Sequence, residues 1–557
     1  MKKNFYIIFS VIILLVGCGE VDNNNNSNNG IVIRPTATPK PSPTPQNSPT
    51  PTPIPTPTPT QIEDNNSSGI RIIGKITYDR VPVNKNGIGL DYNNIRKESA
   101  KLVTVKLVDG ECYSDKIIAE TSTNENGEYS FNNIEKNQNL RICVYSKMEK
   151  SEKYNIKVID NTNSDAIYVI KSSLFNTDSS KRVNLHADSG WGGYSYTRPR
   201  QAAPFAILDS IYQAMQKVLS ADPNAYFPKL KINWSIYNTP ASSQRESAIR
   251  EGLIGTTYFN GEDSLYILGD EDSDTDEYDD HIMIHEWAHY FEENFSRADS
   301  IGGPHGSGDR LDIRVAFGEG WANAFSAIAT DNPIYFDTQG PRQSQGFAMD
   351  IESGPSGVKG YYSEDSIQHI IYDIYDSHDD GADKISMGFK PIYKELTTFQ
   401  KNTKAFTSIF TFIVGLEEQN PAQINKIDAL LRSEYIDHID DIYGSNIDPK
   451  LYVDIYSNYI CTTGIYGYEN KLYNHIYVKY RIDEARDYDI TVYQNNGSGS
   501  DPDFGVYRVS PFEQLGESKA LKPNIEKDRY HLPAGEYLLD ILEYNGLKNA
   551  CFNVTIE

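Results

Sequence analysis

The sequence predicts a multidomain chain: an N-terminal β-sandwich, a mainly α central domain of the α+β class, and a C-terminal β-sandwich. Three observations predict it. At 557 residues the chain exceeds what one hydrophobic core organises. Apolar residues alternate with period two within 69–172 and again within 464–557. Between them, in 183–460, they recur at helical spacing around His285-Glu286-Trp287-Ala288-His289.

Residues 1–18 read as an export signal. Lys2 and Lys3 precede an apolar run over 5–16, too short to span a bilayer but of the length of a signal h-region. The run ends in Leu15-Val16-Gly17-Cys18, which resembles the bacterial lipobox. That resemblance implies cleavage before Cys18 and acylation of its thiol and new amine. The protein is then expected in the bacterial cell envelope, extracytoplasmic and held by lipid to the outer membrane or cell surface. The net charge of −25 argues against nucleic acid as a partner, because phosphate would be repelled.

Residues 19–68 form an Asn/Pro/Thr-rich linker that cannot bury a core and is expected to stay extended. Four cysteines follow, Cys112, Cys143, Cys461 and Cys551, and an exported chain can oxidise them. Of the three pairings that four thiols allow, Cys112 with Cys143 and Cys461 with Cys551 keep each pair within one candidate domain.

In 69–172 the strands are read at 70–78, 103–108 and 140–145, with Asn124-Glu125-Asn126-Gly127 as a turn. This order resembles carboxypeptidase-regulatory-like and transthyretin-like β-sandwich modules, which implies a spacer or binding module. In 464–557 the alternation of Ile476, Val478, Tyr480 and Ile482, of Tyr537, Leu539 and Ile541, and of Phe552, Val554 and Ile556 marks three strands. That stretch resembles the bacterial pre-peptidase C-terminal domain.

The segment 183–460 carries the chemistry. Helical stripes are read at 206–219, after Ser363, at 405–416 and at 422–431, with a short strand at 264–268 preceding the motif. By analogy with zinc peptidases that strand is the edge that would pair with an extended substrate. His285 and His289 lie four apart on one helix face, so both imidazoles reach one metal ion. Glu286 is placed to act as general base on a water there. A third ligand is expected from Glu319, 30 positions after His289 on a second helix and flanked by Gly318 and Gly320. His305, in the loop between them, is the alternative third ligand. The arrangement resembles gluzincins, zincin-like metallopeptidases in which a following helix supplies a glutamate. In that pattern an Asp four residues after the glutamate orients a ligand histidine, whereas this chain has Asn323.

Around this centre, Tyr362 is the candidate phenol for stabilising an oxyanion, with Tyr361 close behind. Arg310 either binds a carboxylate or pairs with Asp309 or Asp312. The acidic run 270–276 reads either as a calcium site, without the glycine and glutamate of an EF-hand loop, or as a solvated loop. His281, His369 and His378 belong to no motif. The expected function is a Zn²⁺-dependent endopeptidase acting on a protein or peptide substrate. The alternative is a catalytically inactive adhesin or binding lipoprotein that uses its β-sandwiches; an intact Glu286 argues against it.

Overall fold

The structure, a computed structural model, describes residues 69–557 apart from 86–87, 114–115, 244, 246, 356, 379–380, 382–383 and 468. The signal segment, the linker and Cys18 lie outside the described residues.

Strand Ile70–Arg80 alternates buried and half-exposed side chains, as its sequence demands. It pairs antiparallel with Arg96–Ser99 and Glu128–Ile134 and parallel with Lys181–Arg182 and Leu185–Ala187. A second sheet runs Ile117–Ser122, Val103–Val108, Asn139–Lys150, Tyr154–Asp160, Leu230–Trp234, Ser264–Ile267, Tyr258–Phe259. Its first four strands come from the expected N-terminal module and its last three from the segment expected to be mainly helical. The joint is parallel: Leu230–Trp234 pairs with Tyr154–Asp160 on one side and Ser264–Ile267 on the other. Helix α1 (Ala203–Ala221) bridges the parallel pair 154–160 and 230–234, as parallel strands require a crossover.

The remaining α-helices are α2 (Asp280–Phe295), α3 (Ile313–Thr330), α4 (Glu364–Tyr375), α5 (Phe389–Glu395), α6 (Ile409–Gln419) and α7 (Ile424–Ser433). A four-stranded sheet of Gly269–Asp270, Asp274–Thr275, Ile334–Gln339 and Gln345–Asp350 lies between them in sequence. These elements share one apolar core that runs from Ile70 through the helices to Leu538.

The expectation of a mainly α zincin-like catalytic domain is overturned. The described residues form 28 strands and seven α-helices. The helical stripes do fold as helices, but short strands between them enter sheets with partners far away in sequence. Periodicity reads only neighbours along the chain, so it missed pairings between 154–160 and 230–234 or between 274–275 and 334–339.

The C-terminal part is a two-sheet β-structure with its own core around Ile476, Val478, Ile490, Val492, Leu539 and Phe552. It starts before residue 464, because Tyr452–Asp454 and Cys461–Thr462 already belong to its sheets. Cys461 and Cys551 are bonded across an antiparallel pair, with Cα atoms 4.1 Å apart. Cys112 and Cys143 are bonded in the first half, with Cα atoms 5.7 Å apart. Arg314 of α3, fully buried, reaches Asp540 of this part at 2.7 Å while its Nε donates to Asp312 at 2.8 Å.

Candidate metal centre

Helices α2 and α3 pack through aromatic faces: Trp287 stacks on Phe325 at 5.7 Å, and Phe291 meets Trp321 at 5.5 Å. Across the same helix pair, His285 and His289 of α2 meet Glu319 of α3. His285 Nε2 lies 3.3 Å from His289 Nε2, and Glu319 Oε2 lies 3.3 Å and 3.5 Å from them. One donor atom from each residue falls within 4.8 Å of the others. Gly320 makes room for the neighbouring helix, since a Cβ there would stand 2.7 Å from Ile367 and 2.9 Å from the Glu364 carbonyl of α4.

The surrounding shell orients the donors. His285 Nδ1–H donates to Asn323 Oδ1 at 2.7 Å, which leaves the Nε2 lone pair facing the centre. Asn323 Nδ2 donates in turn to Glu364 Oε1 at 2.9 Å. The charge that Asn323 lacks is therefore held one residue further out, on α4. Glu292, three residues beyond His289, lies 3.5 Å from His289 Nδ1. Glu286 is buried, and its Oε2 accepts the backbone N–H of Phe259 at 2.8 Å.

The residues fit a metal ion by their own chemistry. Two imidazole Nε2 atoms facing one another at 3.3 Å need a proton or a cation between their lone pairs. Burial opposes charge on His289, yet Glu319 and Glu292 override it and push its pKa well above the ordinary value. Burial likewise opposes ionisation of Glu319, but His305 and His289 hold its carboxyl well below the usual range. Protons on imidazole or a divalent cation meet the same demand, and metal binding exchanges one for the other. Two nitrogens and one carboxylate oxygen are a donor set that suits zinc. Burial pushes the Glu286 carboxyl up, with His285 and His289 pulling against it.

His305 approaches from the other side of Glu319. Its Nε2 lies 3.5 Å from Glu319 Oε2 and 3.8 Å from Glu364 Oε2, and its Nδ1 lies 3.0 Å from the Gly303 carbonyl. It stands outside the tight three-residue group and bears on Glu319 instead. Burial opposes its charge, and Glu319 raises its pKa to about 10.

Among the described contacts, Tyr362 makes none with His285, His289 or Glu319. Its hydroxyl takes Arg310, whose guanidinium also stacks over the Tyr362 ring at 4.8 Å, while Tyr361 shares a 2.6 Å hydrogen bond with Tyr473. Arg310 forms no pair with Asp309 or Asp312, which take Lys471 and Arg314. The phenol near the centre is Tyr335, buried on strand Ile334–Gln339, whose ring meets His285 edge-on at 6.4 Å. Its sequence signal was weak, an aromatic in a short strand. Strand 264–267 is not an edge, because Tyr258–Phe259 covers it; the edge nearest Glu286 is Tyr258–Phe259. His281 is buried with Nε2 3.0 Å from the Asn332 carbonyl.

No protein-family model matches the chain, and no curated protein matches it. Among solved structures, the pre-peptidase C-terminal domain of a collagenase from Bacillus anthracis is similar over 19% of this chain and 92% of that one, at 14% identity and a TM-score of 0.15. A periplasmic inhibitor of g-type lysozyme from Aeromonas hydrophila is similar over 19% of this chain and 96% of that one, at 18% identity and a TM-score of 0.13. A cycloisomaltooligosaccharide glucanotransferase from a Paenibacillus species matches over 87% of this chain and 72% of that one, at 9% identity and a TM-score of 0.12. A pre-peptidase C-terminal domain neighbour thus exists for a small part of the chain at low identity. Likenesses this remote carry no argument about its chemistry.

Proposed function

We propose that the chain is a zinc-dependent endopeptidase, anchored by lipid on the outside of a bacterial cell and acting on protein or peptide substrates. One observation carries the reading: His285 Nε2, His289 Nε2 and Glu319 Oε2 converge within 3.5 Å of one another beside a buried Glu286. A zinc ion held by these three supplies, when bound, Lewis-acid charge and water of lowered pKa at neutral pH. Glu286, fixed by the Phe259 N–H, accepts the proton of the attacking water and passes it to the leaving amine. Tyr335, in place of Tyr362, is the phenol that offers a donor to negative charge developing on the scissile carbonyl. The edge Tyr258–Phe259, joined to the base by that same N–H, is where an extended substrate backbone would lie.

The test is Glu286→Gln. The amide keeps the shape and an acceptor for Phe259 but cannot take a proton. Zinc content should match the parent, while hydrolysis of an unstructured protein substrate falls by about 10³-fold or more. Near-normal turnover by that variant, or parent activity that survives full removal of zinc, refutes the proposal.

A further inference from the structure

A second cluster of metal-ligating side chains lies at the foot of α2, outside the zinc-ligating group. Asp274, Asp276 and Asp337 place one carboxylate oxygen each within 4.8 Å of the others. Asp276 and Asp337 are only 3% and 7% exposed, and Asp279, beside them, is 1% exposed. The three come from separate elements: the strand Asp274–Thr275, the turn before α2, and the strand Ile334–Gln339. Asp279 is the residue that caps α2, yet its side chain makes no capping hydrogen bond.

The group lacks compensation. Among the described residues no Lys, Arg or His forms an ion pair with Asp274, Asp276, Asp279 or Asp337. The nearby guanidinium of Arg200 is committed to Glu277. Only neutral donors reach the cluster: the Thr257 hydroxyl to Asp276, the Gln339 amide to Asp337 at 3.1 Å, and the Thr338 N–H and hydroxyl to Asp279 at 2.8 Å each. Three buried oxygens, Asp274 Oδ1, Asp337 Oδ1 and Asp279 Oδ1, have no hydrogen-bond partner. Buried carboxylates without a cation are costly, and unpaired oxygens among them add to that cost.

We propose that Asp274, Asp276 and Asp337 bind a calcium ion, with Asp279 as a fourth carboxylate at its margin. The donors are all hard carboxylate oxygens, which suit calcium and not zinc. Calcium also accepts carboxylate oxygens in irregular geometry, whereas magnesium demands a near-ideal octahedron and keeps most of its water. The ion ties strand Ile334–Gln339, which carries Tyr335, to the start of the helix that carries His285 and His289. Its role is thus to hold two sides of the neighbouring centre in register.

The test uses the purified full chain, stripped of metal on a chelating resin and reloaded with one equivalent of zinc. Calorimetric titration with calcium chloride should show one site per chain. Calcium at about 100 times its Kd should raise Tm by about 3 °C. Asp337→Asn should weaken calcium binding by at least about tenfold while its zinc content stays at one equivalent, which separates this site from the zinc reading. Absence of both heat and Tm shift in the parent up to about 10 mM calcium overturns the proposal. So does an equal Tm rise with magnesium. An Asp337→Asn protein more stable than the parent with and without calcium also overturns it, since the cluster would then be mutual repulsion relieved by shared protons.

Discussion

Asn323→Asp tests the shell around His285. The gluzincin pattern has Asp at this position, so family reasoning expects the change to improve the site. The structure argues the reverse. Asn323 Nδ2 donates to Glu364 Oε1 at 2.9 Å, so the substitution sets two half-buried to buried carboxylates face to face. It removes a hydrogen bond to a charged acceptor, worth roughly 1.5–3 kcal/mol. At an effective dielectric of about 20, two charges 2.9 Å apart would repel by about 6 kcal/mol. The pair escapes by binding one proton, which for a carboxyl starting near pKa 4 costs about 4 kcal/mol at pH 7. Burial already pushes Glu364 up, with His305 pulling against it, so the escape is cheaper than that bound. The expected loss is therefore about 2–4 kcal/mol at pH 7. The sign with pH follows. The shared carboxyl has a folded-state pKa above its unfolded value, so the folded variant binds the extra proton. The penalty is small below about pH 4 and grows as pH rises through the folded pKa. Urea unfolding of the zinc-loaded proteins between about pH 5 and 8 measures it. Adding Glu364→Gln exchanges the two groups: the introduced amide donates, the introduced carboxylate accepts from His285 Nδ1, and stability should return to within about 1 kcal/mol of the parent. A single variant as stable as the parent across this range, or a double variant no better than the single, refutes the network.

Glu319→Ala should lose its metal during dialysis against a mild chelator, whereas His305→Ala should keep it, because His305 touches Glu319 and stands outside the three-donor group; the reverse order of loss, read by elemental analysis, refutes that assignment. Arg314→Met leaves buried Asp540 with His475 alone and buried Asp312 with the Tyr477 hydroxyl, and should cost about 3–5 kcal/mol in denaturant unfolding. The parent should also depend on this group in acid: burial raises both carboxyls, but Arg314 overrides it and holds them below their ordinary range, so their stabilisation is present above about pH 4 and is lost as pH falls toward the folded values. An Arg314→Met protein with the acid sensitivity of the parent would show that the pair does not set it.

What the sequence determined by itself is what depends on neighbours along the chain. The spacing of His285 and His289, the Ser363 cap that accepts from Ser366, the stripe of α1 and the alternation of Ile476, Val478, Tyr480 and Ile482 all follow from local geometry. Tertiary structure decided everything that rests on contact between distant segments. Glu319 and His305 are both plausible third donors in sequence, and only the packing of α2 on α3 puts Glu319 Oε2 3.3 Å and 3.5 Å from the two imidazoles. Tyr335 meets the His285 ring on a strand that pairs 274–275 with 334–339, while the Tyr362 hydroxyl takes Arg310. The sheet that joins 103–160 to 230–267 was hidden for the same reason. Hydrophobic period records which face of a segment is buried. It does not record which remote segment buries it, because that choice is made by backbone hydrogen bonds and side-chain fit across the fold.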